Sequence, residues 1–422
     1  MRVAVIGGGW AGIAGAVELT AAGIDTTLFE AGRVLGGRAR SAMLDGRTLD
    51  NGQHILLGAY AETLALMRQV GADPGALLDR RPLRVADNSG FSLGLAKLPA
   101  PLNLAFGLLG ARRTGLIEKL RTAFWMDRIK RRGFVLDKES SVAEWLDAAG
   151  QTGVLRRHLW QPLCLAALNT PVERASAQVF ANVLRDSLGS PRRADTDLLL
   201  PRTSLGDLLP NPAQSWLTAH GATLRLGHRV HRLEAVSEGM CIDGEIFDAA
   251  ILATAPQHAA ALWRDAATDY AYEPIATVYL QFGHKTGLPF PLLNLHGGIG
   301  QWVVDRGQGL LACILSGHGN WEALDDAQLA AALTQELRAA WPIAGPAAWQ
   351  KVVREKRATF SCRPDLPRPD FRTTDPRLLL AGDYTWADYP ATLEGAVRSG
   401  RRAAREMVAD TRHRKRDKGI PE

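Results

Sequence analysis

Cysteine is scarce and dispersed: Cys164, Cys241, Cys313 and Cys362 are the only four in 422 residues, and no two form a C-x-x-C pair. That spacing argues against a disulfide framework and against a cysteine zinc site, and it fits a reducing compartment. Long apolar runs are missing too. The longest charge-free one, residues 98–111, is shorter than the ~20 residues a bilayer-spanning helix needs and is interrupted by Pro and Gly. There is no internal repeat, no low-complexity tract and a single G-x-G-x-x-G, so a solenoid and a built-in second dinucleotide domain are excluded. An apolar strand, Arg2-Val-Ala-Val-Ile6, starts directly after Met1. A signal or transit peptide is therefore not expected, and a cytoplasmic location without a membrane span is.

What the chain does contain is an ordinary soluble composition, 22% charged and 46% hydrophobic, with length enough for more than one domain. Its 50 basic and 44 acidic residues leave a net +6. The excess is local. Residues 112–132 hold eight Lys/Arg against two acids, and residues 398–418 hold nine against three. Two basic patches on an otherwise acidic chain, without a nucleic-acid fingerprint, argue against nucleic acid as a partner.

Residues 2–6 read as a buried parallel strand, 7–12 as a turn, 12–22 as a helix of small residues and 24–29 as a second strand. A hairpin is predicted over 83–96, mostly helix over 102–185, and strands over 223–255 and near 276–282, 300–305 and 310–316. One long helix is predicted over 322–341, a proline-rich loop over 363–376, a buried strand over 378–382 and a last helix over 395–408. This alternation predicts an α/β fold. A Rossmann-like nucleotide domain would be assembled from residues 1–85, 200–255 and 372–410. An α+β substrate domain would be inserted as 86–199 and 256–371, and 411–422 would form a basic tail.

Gly7-Gly-Gly-Trp-Ala-Gly12 matches G-x-G-x-x-G directly after a strand and at the opening of a helix. Gly7 allows the tight turn, Gly9 lets a pyrophosphate approach the backbone, and Gly12 lets helix and strand pack. The helix N-terminus then offers free N–H donors to the diphosphate. Glu30 ends the second strand, where its carboxylate can accept both ribose hydroxyls and repel a 2′-phosphate. Dinucleotide binding follows, with NADP disfavoured.

The residues beyond Glu30 narrow the cofactor. Arg33-Val-Leu-Gly-Gly-Arg-Ala-Arg-Ser41 and Asp50-Asn-Gly-Gln-His54 come next. In the first, Gly36 and Gly37 let a loop lie on a long flat ligand, and Arg38 can hold a phosphate or a flavin edge. Near the other end, Leu380-Ala-Gly-Asp383 closes a strand on a carboxylate, and Pro390-Ala-Thr-Leu-Glu-Gly-Ala396 starts a helix whose dipole suits the pyrimidine side of a flavin. Together these motifs resemble the FAD amine-oxidase and phytoene-desaturase superfamily, with its FAD-binding domain of glutathione-reductase type. The resemblance implies FAD contacts from Gly7, Gly9, Trp10, Ala11, Gly12, Glu30, Ala31, Gly36, Gly37, Arg38, Gly52, Gln53, His54, Val230, Gly382, Asp383, Thr392, Leu393, Glu394 and Ala396.

Within that superfamily, Asp50-Asn-Gly-Gln-His-Ile-Leu-Leu-Gly-Ala-Tyr60, Pro162-Leu-Cys-Leu-Ala-Ala-Leu-Asn-Thr170, Ala175-Ser-Ala-Gln-Val-Phe180, Gly300-Gln-Trp-Val-Val-Asp-Arg306, Glu355-Lys-Arg-Ala-Thr-Phe360 and Pro390-Ala-Thr-Leu-Glu-Gly-Ala-Val-Arg-Ser-Gly400 resemble the squalene-associated FAD proteins, the hydroxysqualene dehydroxylases of hopanoid synthesis. Asp383-Tyr-Thr-Trp-Ala-Asp-Tyr389 departs from their pattern, which has Trp after the Asp and Gly-Leu before the Pro. The resemblance implies reductive removal of an allylic hydroxyl from hydroxysqualene to give squalene, with electrons reaching the flavin from an external donor. It implies a long apolar pocket for a C30 isoprenoid. An acid should assist the departing hydroxide, and His54 or Asp50, on the loop expected near the flavin, are the candidates. A carotenoid or dehydrosqualene desaturase, a flavin amine oxidase and an FAD-stabilised scaffold are the other readings; the amine oxidase lacks an identifiable aromatic cage and flavin-proximal Lys.

Other signals carry less. Gly90-Phe-Ser-Leu-Gly94 matches the hydrolase elbow G-x-S-x-G, but it follows a hairpin turn and precedes Pro99 rather than a helix. His228 and His231 read as lying on a strand, where residues three apart face opposite sides and cannot share a metal, and no metal is expected. The apolar run 98–111 followed by Arg112-Arg113 has the layout of a monotopic contact. With residues 398–418 it predicts one surface for anionic lipid, placing the protein peripherally on the inner face of the cytoplasmic membrane.

Overall fold

The computed structural model describes residues 1–266, 268–343 and 345–417, with side chains described to residue 410. Five parallel strands form the first sheet, in the order Thr223–Leu226, Asp25–Glu30, Arg2–Ile6, Ala249–Leu252, Leu378–Leu380. Its central strand is apolar without alternation because both faces are covered; Val3, Ala4, Val5 and Ile6 are all buried. On one face lie the helix Trp10–Ala21 and the closing helix Leu393–Asp417. Small residues set their approach: a Cβ on Gly400 would sit 2.0 Å from the Ala11 carbonyl oxygen. The other face carries an antiparallel meander, Leu233–Val236, Gly239–Ile242 and Glu245–Phe247, whose Met240 and Phe247 pack on Phe29 and Leu252.

A second, antiparallel sheet runs Leu292–Asn294, Trp302–Asp305, Leu310–Ser316, Tyr272–Gln281, Trp349–Phe360. Alternation divides its side chains. Val278 and Leu280 pack under the helix Asp326–Ala340 with Leu329 and Leu333. Tyr279, Trp302 and Ile314 face a helical layer that includes Gln161–Leu168 and Ala177–Asp186.

Four expectations are revised here. The strand Trp349–Phe360 was not anticipated; it is an edge strand carrying Lys351, Arg354, Glu355, Lys356 and Arg357, and edges are kept charged to prevent further pairing. The long helix predicted over 322–341 is a 3-10 turn, Asn320–Ala323, followed by Asp326–Ala340, because Asp325 and Gln328 form a capping box that starts the helix there. The last helix runs on to Asp417, through part of the expected tail. Residues 418–422 and the side chains of Arg414, Lys415 and Arg416 lie outside the described residues. Finally, the earlier part of the second basic patch is largely engaged in ion pairs. Arg398 is paired with Glu394 within the closing helix, while Arg401 pairs with Glu62 and Arg405 with Glu18, and these two pairs fasten the closing helix to the helices Ala61–Gln69 and Trp10–Ala21.

Candidate active site

One cavity of about 980 Å³, at the upper end of the range for ligand pockets, begins at the carboxyl edge of the parallel sheet and continues between the antiparallel sheet and the helical layer. Every residue expected to touch FAD borders it except Gly12. Gly12 acts from behind, since a Cβ there would lie 1.8 Å from the Gly7 carbonyl oxygen. Gly7 itself has φ +111°, open to glycine. The loop carrying Gly36 and Gly37 lies on this turn: the Gly36 N–H donates to the Gly8 carbonyl at 2.8 Å, and Trp10 Nε1–H fixes the return of the loop on the Ala39 carbonyl at 2.9 Å.

At the end of the second strand, Glu30 accepts from the Gly8 and Gly32 N–H groups at 2.7 and 2.6 Å, which orients the carboxylate while leaving each oxygen a further lone pair. Val230 and Ala31 border the same end of the cavity. His228 and His231 were expected on a strand. They lie instead on an irregular segment between Leu226 and Leu233, and both border the cavity; Asp243 holds that segment by accepting from the His231 and Arg232 N–H groups.

Further along, Arg38 Nη2 donates to Asp383 Oδ2 at 2.6 Å and Nη1 to the Ala358 carbonyl at 2.8 Å. Burial works against the guanidinium charge, but the Asp383 carboxylate outweighs it and the Arg38 pKa is raised. Thr392 Oγ1 caps the closing helix at the Gly395 N–H. Glu394 borders the cavity as well. Its carboxylate accepts from the Glu62 and Thr63 N–H groups, Thr63 Oγ1 and Arg398, so it also caps the helix Ala61–Gln69.

The two acid candidates part company. Asp50 does not border the cavity. Its Oδ1 accepts from Ser41 Oγ and the Leu205 N–H, both at 2.8 Å, and Oδ2 lies 3.5 Å from Arg306. His54 does border it, with Nδ1 3.1 Å from the Gly52 carbonyl. A carbonyl only accepts, so Nδ1 carries the proton and Nε2 is left with a lone pair. Burial lowers the His54 pKa below 6.5, so the ring is neutral near pH 7 and accepts hydrogen bonds at Nε2. The unfolded chain therefore takes up this proton first, and the stability contributed by neutral His54 is lost as pH falls from 6.5 through the lowered folded value. Thermal melts of His54→Gln should lose less stability over that acid window than the parent; equal losses would show that the fold leaves the His54 pKa unshifted.

The groove suits FAD on three observations. No side chain caps the helix Trp10–Ala21, so its first N–H groups are free for a diphosphate. A Cβ on Gly9 would meet only Gly37 Cα, at 3.9 Å. Gln53 Oε1 and Thr254 Oγ1 are buried without a partner and belong to residues on the cavity wall. The apolar residues of the wall include Phe180, Val183, Leu184, Leu198, Trp302 and Ile314. Among these, only Phe180 and Trp302 stood in motifs singled out from the sequence.

A family model for flavin-containing amine oxidoreductases matches residues 10–408. The chain is 32% identical to a hydroxysqualene dehydroxylase of Rhodopseudomonas palustris, over 96% of this chain and 98% of that one. It belongs to the flavin-containing amine oxidoreductase family and, within it, to the hydroxysqualene dehydroxylases. The enzyme is an FAD-dependent oxidoreductase. It is also 29% identical to the hydroxysqualene dehydroxylase of Sinorhizobium fredii, over 97% and 99% of the two chains. A zeta-carotene desaturase of Synechocystis is 26% identical over 97% and 98%. Among solved structures, cyclohexylamine oxidase from Brevibacterium oxydans superposes with a TM-score of 0.72 at 16% identity, covering 97% and 99%, which shows the fold they share.

Proposed function

We propose that the enzyme removes the hydroxyl of hydroxysqualene reductively, giving squalene for hopanoid synthesis. The observation that carries this reading is the continuity of one cavity from the dinucleotide groove into a compartment walled by Phe180, Leu184, Trp302 and Ile314, in a chain related over nearly its whole length to hydroxysqualene dehydroxylases. Bound FAD supplies hydride chemistry. The protein's own contribution is to hold an isoprenoid chain by apolar contact, to exclude water from the reacting carbon, and to orient it against the groove that Gly9, Gly37 and Thr392 border. The net change replaces C–OH by C–H, consuming a hydride and a proton and releasing water. His54 presents a bare Nε2, so that proton comes from another group. Electrons reach the enzyme from an external donor, and the reaction takes place at the inner face of the cytoplasmic membrane.

Purified enzyme reduced anaerobically and mixed with hydroxysqualene should form squalene in proportion to flavin reoxidised. Desaturation of a carotene or dehydrosqualene precursor by the oxidised enzyme, with no squalene from the reduced one, would instead favour the reading suggested by the desaturase relatives.

A further inference from the structure

The helices Leu102–Leu109 and Leu116–Arg131 lie side by side on the outside of the second domain. Their inner face is ordinary core: Trp125, Met126 and Ile129 are buried, with the Trp125 ring 4.9 and 5.2 Å from those of Trp145 and Trp160. Their outer face is not. Leu102, Phe106, Leu109, Leu116, Ile117, Leu120 and Phe124 are 44–76% exposed, and only five other large apolar residues among those described are exposed at all to this degree. Scattered single exposures are normal, but seven within 23 residues form a surface. Their spacing at three and four residues puts them on one side of each helix.

The charges beside this face have one free sign. Glu118 is engaged by Thr114 and the Leu155 N–H, and Asp127 by Arg131. Arg112, Arg113, Arg128 and Lys130 have no carboxylate partner among the described residues. The pair also adjoins the cavity. Phe134, just past the second helix, packs so closely on Gly189 that a Cβ there would lie 2.4 Å from its ring, and the neighbouring Leu188 borders the cavity, as do Leu83 and Val85 of the hairpin beneath the first helix.

We propose that this helix pair is a monotopic docking surface that seats the enzyme on an anionic bilayer, so that the isoprenoid passes into the cavity without crossing water. The inference rests on the lipid-substrate reading above. Apolar side chains enter the acyl boundary while the free cations meet headgroups. A second copy of the chain is the poorer occupant, because it would bring the same cations face to face.

The FAD-loaded full chain is tested by co-sedimentation with vesicles of phosphatidylcholine containing phosphatidylglycerol. Binding should weaken at least tenfold with pure phosphatidylcholine, and part of it should survive high salt. Ile117→Asp/Phe124→Asp changes two residues that are 76% and 72% exposed. It should lower vesicle binding and turnover of vesicle-held hydroxysqualene at least tenfold, while FAD absorbance, melting temperature and turnover of detergent-dispersed substrate stay at parental values. The milder Ile117→Gln/Phe124→Gln should fall between. A parent that does not sediment, a double-Asp variant that binds like the parent, or loss of FAD in both variants overturns the docking surface. So does a homodimer that the double-Asp change dissociates without vesicle binding by the parent. Vesicle binding without turnover of either form of the substrate overturns the hydroxysqualene reading and leaves the docking surface standing.

Discussion

A Gly12→Ala variant should purify colourless and melt well below the parent. The added methyl would lie 1.8 Å from the Gly7 carbonyl oxygen and 3.3 Å from the Ala253 Cβ. The first neighbour is backbone in a turn, so no side chain can swing aside, and the helix Trp10–Ala21 must lift from its strand. Overpacking in a close-packed interior costs about 1–3 kcal/mol and more where backbone must move. Here the displaced backbone is also the diphosphate cradle, so the loss of FAD compounds the loss of stability through linkage. Gly9→Ala is the control. Its methyl meets only Gly37 Cα at 3.9 Å and projects into the groove, so apoprotein stability should hold while FAD affinity falls. Flavin absorbance after desalting, read beside thermal melts of both variants, separates the two effects. A yellow Gly12→Ala protein with a parental melting temperature would refute the argument.

The second large effect concerns Asp50. Asp50→Ala leaves Arg306, which is mostly buried, without its carboxylate and strips the Leu205 N–H and Ser41 of their acceptor. Removing one partner of a buried ion pair costs about 3–5 kcal/mol, enough to bring many folds near their threshold. Asp50→Asn keeps one acceptor oxygen and should cost less. Since the carboxylate is turned away from the cavity, Asp50→Asn should retain parental turnover per bound FAD while its melting temperature falls. The opposite pattern, a parental melting temperature with lost turnover, would make Asp50 a participant in the chemistry.

The nucleotide end of the molecule was legible because its demands are local. A turn that needs φ above zero, a helix that must touch a strand and an acid at the end of the next strand each select a residue type, so Gly7, Gly12 and Glu30 could be read in order. The closing segment was partly legible: Asp383, Thr392 and Glu394 border the cavity, while the capping bonds of Glu394 were not foreseen. Nothing near Glu394 in sequence announces that the N–H groups of Glu62 and Thr63, more than 300 residues away, lack a capping side chain. His228 and His231 misled for a related reason, because local sequence does not distinguish a strand from an irregular segment held by the distant Asp243. The helices 102–109 and 116–131 show a further limit. Their apolar residues were visible, but which of them point outward depends on what Trp145, Trp160 and the hairpin already cover.

The parallel sheet takes its first two strands from the beginning of the chain and its last from Leu378–Leu380, and the helix that packs on Trp10–Ala21 is the final one. During synthesis the glycine turn leaves the ribosome long before the groove can close around anything. The nascent chain must carry its opening β-α-β unit with one face uncovered while some 350 residues follow. The groove is therefore incomplete until residues 378–396 have been made, and a chain cut short before them would carry exposed core, a ready substrate for proteases.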